Sequence, residues 1–390
     1  MSDPAAQGQE AAPRNILKTL VAVGWMYGGR GIGMLWTLAL VGKLSVGDYG
    51  RYGMGFALSA VVGPPLDNPF NVRAMRESDE HFRAERTSRF LLGLTLMAVG
   101  ACLIEVNYVA WFGLVIAGGE MVFKSYQSQA ARDGHPQVTW RMDTIRQISS
   151  VALAGSYLFG TDEPNLQIAS LLYCAPYLVV LVLAARRVWG HRPGVPGPPR
   201  LIAALVGEML GMCIYLQGDV LLLGFLTDDT TVGYYALTVT VTVALAAIGQ
   251  SFAMTYNEPL RRSGGDLSTG PSLRHIVMLG AGTGGLVVIA GVVLLLTPAP
   301  TELGIAMLVM SAFCAMRTMS SVLAVILYAQ RRDVIRLSAN LGLVPVKLGA
   351  VAALAQFGAV GAAVATVATD AILLVIYLVA IYRRKDRAEA

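Results

Sequence analysis

The chain has 390 residues, 55% of them hydrophobic and only 14% charged, where an average soluble domain carries about 25% charged residues. Its apolar residues come in blocks of roughly twenty, enough to cross about 30 Å of hydrocarbon, and the mean hydropathy is +0.58. This excludes an ordinary soluble domain, and the net charge of +5 follows loop placement in an all-α polytopic membrane protein rather than affinity for nucleic acid.

Twelve spans are predicted, at about 16–42, 52–74, 89–104, 107–128, 140–160, 165–185, 201–226, 232–255, 274–297, 303–329, 336–356 and 358–382. They group into an N-terminal six-helix lobe (16–186), a cytoplasmic linker (187–200) and a C-terminal six-helix lobe (201–382). A flexible cytoplasmic tail (1–15) and a basic one (383–390) complete the chain. The opening MSDPAAQGQEAA is small and polar, which reads as a tail rather than a signal peptide.

Ionisable residues within spans are functional candidates by default, because each costs several kcal/mol unless paired or hydrated. Arg30 falls near the middle of the first span, among Gly28, Gly29, Gly31 and Gly33. The glycines let the helix bend, and a planar, permanently charged fork suits a phosphate or pyrophosphate. An Arg paired with a carboxylate of the same lobe is the structural alternative.

The second span carries VVGPPLDNPF, with Pro64, Pro65 and Pro69 around Asp67. Prolines remove backbone donors and clash with the preceding turn. A helix break facing a hydrated cavity is expected here, with Pro64 and Pro65 as a hinge near the cytoplasmic mouth. A static kink with Asp67 bonded to a neighbouring helix is the alternative. In the fourth span Glu120 and Lys124 share a face at i, i+4, placed either to neutralise each other or to line the cavity. In the fifth, Arg141 and Asp143 suit headgroup-level snorkelling, and Arg146 joins the substrate-binding candidates. Together these charges imply a hydrated cavity open to the cytoplasm.

The linker WGHRPGVPGPPR divides two halves that look related. DYGRYGMGFAL (48–58) after the first span parallels TVGYYALTVTV (231–241) after the seventh, pairing Gly50 with Gly233 and Tyr52 with Tyr235. QAARD (129–133) likewise parallels AQRRD (329–333). Six spans per repeat give a parallel pseudo-two-fold repeat about the membrane normal, an arrangement suited to two bundles around a central cavity. In the second half Glu208, Asp219, Arg317, Lys347 beside Pro345, and Asp370 are the intramembrane charges. A Lys347–Asp370 ion pair is the plain reading of two of them.

Lys and Arg concentrate in alternate loops (73–89, 186–200, 256–274, 331–336 and the tail), which places both termini in the cytoplasm. The opposite loops are short and mostly acidic, too small to fold as a domain. The four cysteines all fall within spans and lack metal-ligand spacing, so they read as packing residues and no metal site is expected.

GDVLLLGFLTDDTTVGYYALT (218–238) resembles the seventh-span signature of polysaccharide (O-antigen-type, Wzx-like) flippases of the multidrug/oligosaccharidyl-lipid/polysaccharide (MOP) exporter superfamily. The matching positions are Asp219, Leu223, Gly224, Val232, Gly233, Tyr235 and Ala236, and LSVGDYGRYGMG (44–55) is similar to the first external loop of that family. The chain is short for the family, and GPPLDNPF replaces a more ordinary helix end. In related flippases a seventh-span carboxylate and polar groups of the eleventh and twelfth spans hold a cation. The resemblance therefore points to Asp219, Asn340, Thr366 and Asp370 as ion-coupling residues, with H⁺ or Na⁺ as the ion and Lys347 as a resident ammonium in its stead.

The expectation is a flippase that carries a polyprenyl-(pyro)phosphate-linked saccharide from the cytoplasmic to the external leaflet by alternating access. Arg30, Asp67, Glu120, Lys124, Arg146, Arg317 and Lys347 are the expected substrate-binding residues. Gly28, Gly29, Pro64, Pro65 and Pro345 are the expected hinges. No cofactor and no nucleic acid are expected; membrane lipids and glycan-assembly enzymes are the implied partners, in a bacterial plasma membrane. The alternatives are an exporter of small amphipathic compounds and, in another class, a membrane glycosyltransferase or polysaccharide polymerase. The short external loops count against the enzymes, and basic residues near mid-depth count against a cationic cargo.

Overall fold

The computed structural model describes Val21, Gly24, Trp25, Gly28, Gly29 and residues 31–74 and 77–382. Among these no strand forms, and the helices follow one another through short connections. In the first half they are α1 (Gly31–Lys43), α2 (Val46–Ala74), α3 (Asp79–Cys102), α4 (Tyr108–Arg132), α5 (Pro136–Gly160), α6 (Leu166–Cys174) and α7 (Pro176–Val188). In the second they are α8 (Pro199–Leu226), α9 (Asp229–Met254), the short α10 (Asn257–Arg262), α11 (Leu273–Leu296), α12 (Thr301–Ala329), α13 (Asp333–Leu354) and α14 (Gly358–Tyr382). Each expected span corresponds to one helix, except that α6 and α7 share the sixth, divided at Ala175 before Pro176.

The helix starts are written in the sequence. Ser78, Asn107, Asn165, Asp228 and Ser272 each stand just before a helix, and each side chain accepts a hydrogen bond from a first-turn amide. Such caps satisfy donors that the helix itself leaves unpaired. Among the described residues six stretches are long and apolar enough to cross a membrane: Leu166–Val188, Pro199–Leu226, Asp229–Met254, Leu273–Leu296, Thr301–Ala329 and Val334–Tyr382, the last holding two helices. Helices α2 to α5 have comparable length, 24 to 29 residues, and carry the first half's intramembrane charges. The protein is an all-α, multi-pass membrane protein.

The VVGPPLDNPF stretch does not break its helix. Residues 46–74 form one continuous α2 with all three prolines inside it. The prolines leave the carbonyls of Ala60, Val61 and Pro65 without their usual i+4 donors. Tertiary contacts hold the helix through that gap. Asn68 donates to the Leu205 carbonyl at 2.9 Å, and Asp67 is buried in an ion pair, as described below.

The described residues fall into two compact units. One comprises those up to Ser45 together with Leu58–Met209; the other comprises Val46–Ala57 with Leu210 onward. The division therefore runs through α2 and α8 rather than through the Pro-rich linker. In the first unit α3 packs along α4, and α7 crosses α4. In the second, α12 is central, against α9, α11 and α14, while α13 packs on α14.

The start of α2 lies on the start of α9 within the second unit. A Cβ on Gly50 would sit 2.9 Å from the Gly233 amide nitrogen, and one on Gly233 would press into the Val46 backbone. Only glycine permits this approach. Gly50 and Gly233 are equivalent positions of the sequence repeat, so the two equivalents meet each other. Such a contact is isologous, the kind that a two-fold relation produces. The Arg51 guanidinium clamps the same seam, with Nε 2.6 Å from Asp229 Oδ2.

Candidate functional site

Arg30, the expected principal anion contact, lies outside the described residues. Its neighbour Gly29 is described and approaches α5: a Cβ there would be 3.0 Å from Gln147 Oε1 and 3.2 Å from Thr144 Oγ1. The Thr144 hydroxyl donates to the Trp25 carbonyl at 2.8 Å.

The remaining charges of the first unit assemble into two adjoining networks. Asp67 on α2 is held in bidentate fashion by Arg89 on α3, at 2.6 and 2.7 Å. Lys124 on α4 reaches the same carboxylate at 3.2 Å. In the second network Arg146 on α5 pairs with Glu120 on α4 at 3.0 Å and with Asp143 at 2.9 Å. It also donates to the Tyr177 hydroxyl at 3.0 Å, which in turn donates to Glu120 Oε1 at 2.6 Å. The guanidinium lies over the rings of Tyr177 and Phe123, at 5.0 and 5.4 Å.

Gly119 makes this possible. A Cβ there would come within 2.7 Å of the Tyr177 ring, so its absence lets the phenol lie flat on α4 beside Glu120. Glu120 and Lys124 thus bond outward to separate partners. They are not the self-neutralising i, i+4 pair that the spacing alone allowed.

Between α2 and α4 is a cleft of about 230 Å³, lined by Ser59, Ala60, Gly63 and Pro64 on one side and Ala117, Glu120, Met121 and Lys124 on the other. Ala60, whose carbonyl Pro64 leaves without its helical donor, belongs to this wall. Exposure separates the charges by role. The side chains of Asp67, Arg89 and Arg146 are at most 8% exposed, while those of Glu120 and Lys124 are 33% and 35% exposed. The first three are sealed among their partners, while Glu120 and Lys124, though paired, also face the cleft. Arg141 and Glu208 are exposed at the helix surface.

The second unit holds a drier network. Lys347 on α13 places Nζ 2.6 Å from Asp219 Oδ2 on α8 and donates to the Tyr215 carbonyl at 2.8 Å. The Tyr235 hydroxyl donates to the same carboxylate at 2.5 Å, and Thr366 at 3.3 Å. Asp219, Lys347, Thr366 and Asp370 are all buried. Asp370 pairs with Arg317 at 3.4 Å, so the Lys347–Asp370 pair that the sequence allowed is replaced by two separate pairs. Lys347 and Arg317 both lie over the Tyr215 ring, at 5.1 and 5.7 Å. Asn340 does not join them: it donates to the Tyr377 hydroxyl at 3.0 Å and to the Arg336 carbonyl at 2.9 Å. Pro345 is inside a continuous α13.

Sequence reasoning overlooked Arg89, Tyr177 and Tyr215. Arg89 was counted with the loop cations that set topology, although its place three turns into α3 was a usable signal. The tyrosines carried no signal, since a buried phenol looks like core until its hydroxyl partners are known.

No family model matches the sequence, and no curated protein does. Solved structures match the fold. The lipid II flippase MurJ in an inward-closed conformation superposes with a TM-score of 0.66 at 11% identity, over 94% of this chain and 87% of that one. A multidrug resistance MATE family transporter of the MOP superfamily gives 0.61 at 12% identity when inward-facing, over 96% of this chain and 95% of that one. An outward-facing transporter of the same description gives 0.59 at 11% identity, over 96% of each chain. All are transporters rather than enzymes, and at these identities what is shared is the fold.

Proposed function

We propose that the protein is an alternating-access transporter of a lipid-linked, phosphate-bearing saccharide, moving it from the cytoplasmic to the external leaflet. The observation that carries this reading is the pair of half-exposed groups on the cleft wall. Lys124 offers an ammonium to a phosphate, and Glu120 offers an acceptor to sugar hydroxyls. Each is held from behind by a buried partner, so little ordering is needed on binding. The apolar Pro64, Ala117 and Met121 suit the carbon face of a sugar or the first carbons of a carrier lipid. The likeness to a lipid II flippase supports the cargo class, and the MATE transporters support alternating access. A bacterial plasma membrane with both termini cytoplasmic is the setting that this function and the loop charges call for, with glycan-assembly enzymes as partners.

Asp219 already has a cation, the Lys347 ammonium, which favours H⁺ over Na⁺ as any coupling ion.

The test is Lys124→Ala. Asp67 keeps its bidentate Arg89, so the fold survives, and the lost charge-assisted contact is worth about 1.5–3 kcal/mol. Binding of a polyprenyl-pyrophosphate-linked sugar to the reconstituted protein should weaken by roughly ten-fold or more. Unchanged binding in a folded variant would reject the cleft as the phosphate site. Tighter binding of organic cations, with no affinity for the lipid-linked sugar, would favour the small-molecule exporter instead. Depletion in cells, followed by identification of the lipid-linked sugar that accumulates, would name the cargo.

A further inference from the structure

Arg86 on α3 differs from the other buried cations. Among the described residues four are buried: Arg86, Arg89, Arg146 and Lys347. Three of them have a carboxylate within 3.0 Å. Arg86 has none. Its Nη2 donates to the Arg187 carbonyl at 3.0 Å, and its buried Nε has no partner. The residue is 91% buried, against 9% relative exposure.

The Arg187 carbonyl belongs to the last turn of α7, where the helix end carries roughly half a negative charge. That offsets part of one guanidinium and no more. The adjacent Glu85 is taken by Arg73, at 2.9 Å; burial first, and then the positive Arg187 and Arg83, the latter one turn before Arg86, push its guanidinium pKa down. Neither Arg83 nor Arg187 has a carboxylate partner among the described residues; the Arg187 side chain donates to the Tyr126 carbonyl at 2.7 Å and lies over the Tyr126 ring at 4.1 Å. Both are exposed. A buried cation left without a counter-charge is strongly unfavourable, and here it sits beneath two more.

We propose that Arg86, Arg83 and Arg187 form a binding site for a phosphoryl anion, supplied by the headgroup of an anionic phospholipid. Arg83 and Arg187 are near enough to act electrostatically on Arg86, and a phosphate accepts several charge-assisted hydrogen bonds from guanidiniums at once. All three residues lie in segments predicted to be cytoplasmic, where anionic lipids meet basic pockets between helices. The neighbouring Trp189 is 86% exposed, an amphipathic ring of the kind that rests at headgroup level. The site is separate from the α2–α4 cleft and does not depend on what the protein transports.

Purified, delipidated protein in neutral detergent should be titrated with phosphatidylglycerol, phosphatidylcholine or inorganic phosphate while thermal unfolding is followed. Phosphatidylglycerol should raise the unfolding temperature and phosphatidylcholine should not. Arg86→Gln keeps a donor for the Arg187 carbonyl but removes the charge, and its apparent affinity for phosphatidylglycerol should fall about ten-fold. If Arg86→Gln does not fold, the exposed pair Arg83→Gln and Arg187→Gln, made together, should show the same loss. An equal response to inorganic phosphate, lost in the same variants, would support the anion site and assign it to free phosphate. Wild-type protein indifferent to both anions, or variants with undiminished response, would overturn the proposal.

Discussion

Asp67 shows how much a single carboxylate does when it is sealed between cations. Removing it alone, as Asp67→Ala, strands Arg89 in the interior, which typically costs 3–5 kcal/mol; the variant should lose most of its thermal stability in detergent. Replacing both partners, Asp67→Leu with Arg89→Leu, should restore much of it. Equal instability of the single and double variants would show that the pair is not what the region depends on. At the helix surface Asp228 makes a smaller, pH-dependent contribution. The Thr231 hydroxyl, and then the first amides of α9, hold its carboxyl below the usual range. The stability it adds is therefore complete above about pH 4 and lost as pH falls through the lowered folded value. Asp228→Asn should flatten that acid limb of an unfolding-temperature profile. At this scale the sequence was a good guide to which charges lie inside the membrane and a poor guide to their partners. Asp67, Glu120 and Asp219 were visible as anomalies in apolar runs. Their pairing depends on helix rotation, which span lengths do not determine.

Helix α2 is the element whose chemistry was most legible and whose geometry was least so. Three prolines in six residues announce lost hydrogen bonds, and the sequence supports a break. The observed continuity is tertiary: Arg89, Lys124 and the Leu205 carbonyl hold its polar side chains. Prolines inside a helix each cost about 3 kcal/mol, so Pro64→Ala and Pro65→Ala should raise the unfolding temperature. If they serve as a hinge, the same changes should slow transport; faster or unchanged transport in a stabilised protein would mark them as static. In the second unit, Lys347→Met should leave Asp219 with only neutral donors, the Tyr235 and Thr366 hydroxyls and the Val220 amide. Sodium chloride should then stabilise the variant more than potassium chloride does, while wild type responds to neither, read by thermal unfolding in the two salts.

For the whole molecule, the order of the spans after the first followed from apolar block length, although α3 begins ten residues before its predicted start and the sixth span divides into α6 and α7. The division into units did not, because composition points to the Pro-rich linker, whereas residues 46–57 pack with the second half through glycines that look unremarkable alone. Topology remains the broadest test. In a variant with all four native cysteines replaced, a cysteine at Arg83 or Arg262 should be protected from a membrane-impermeant thiol reagent in intact cells, and one at Asp162 should react. The opposite labelling would reverse the orientation assigned from the loop charges. The seam where Gly50 meets Gly233 has a meaning beyond packing. Because each partner is the other's counterpart in the repeat, the contact needs only one sequence to specify both of its sides. A single six-helix polypeptide carrying one such glycine could have made it with a second copy of itself. In the present chain one polypeptide supplies both sides of that self-complementary surface.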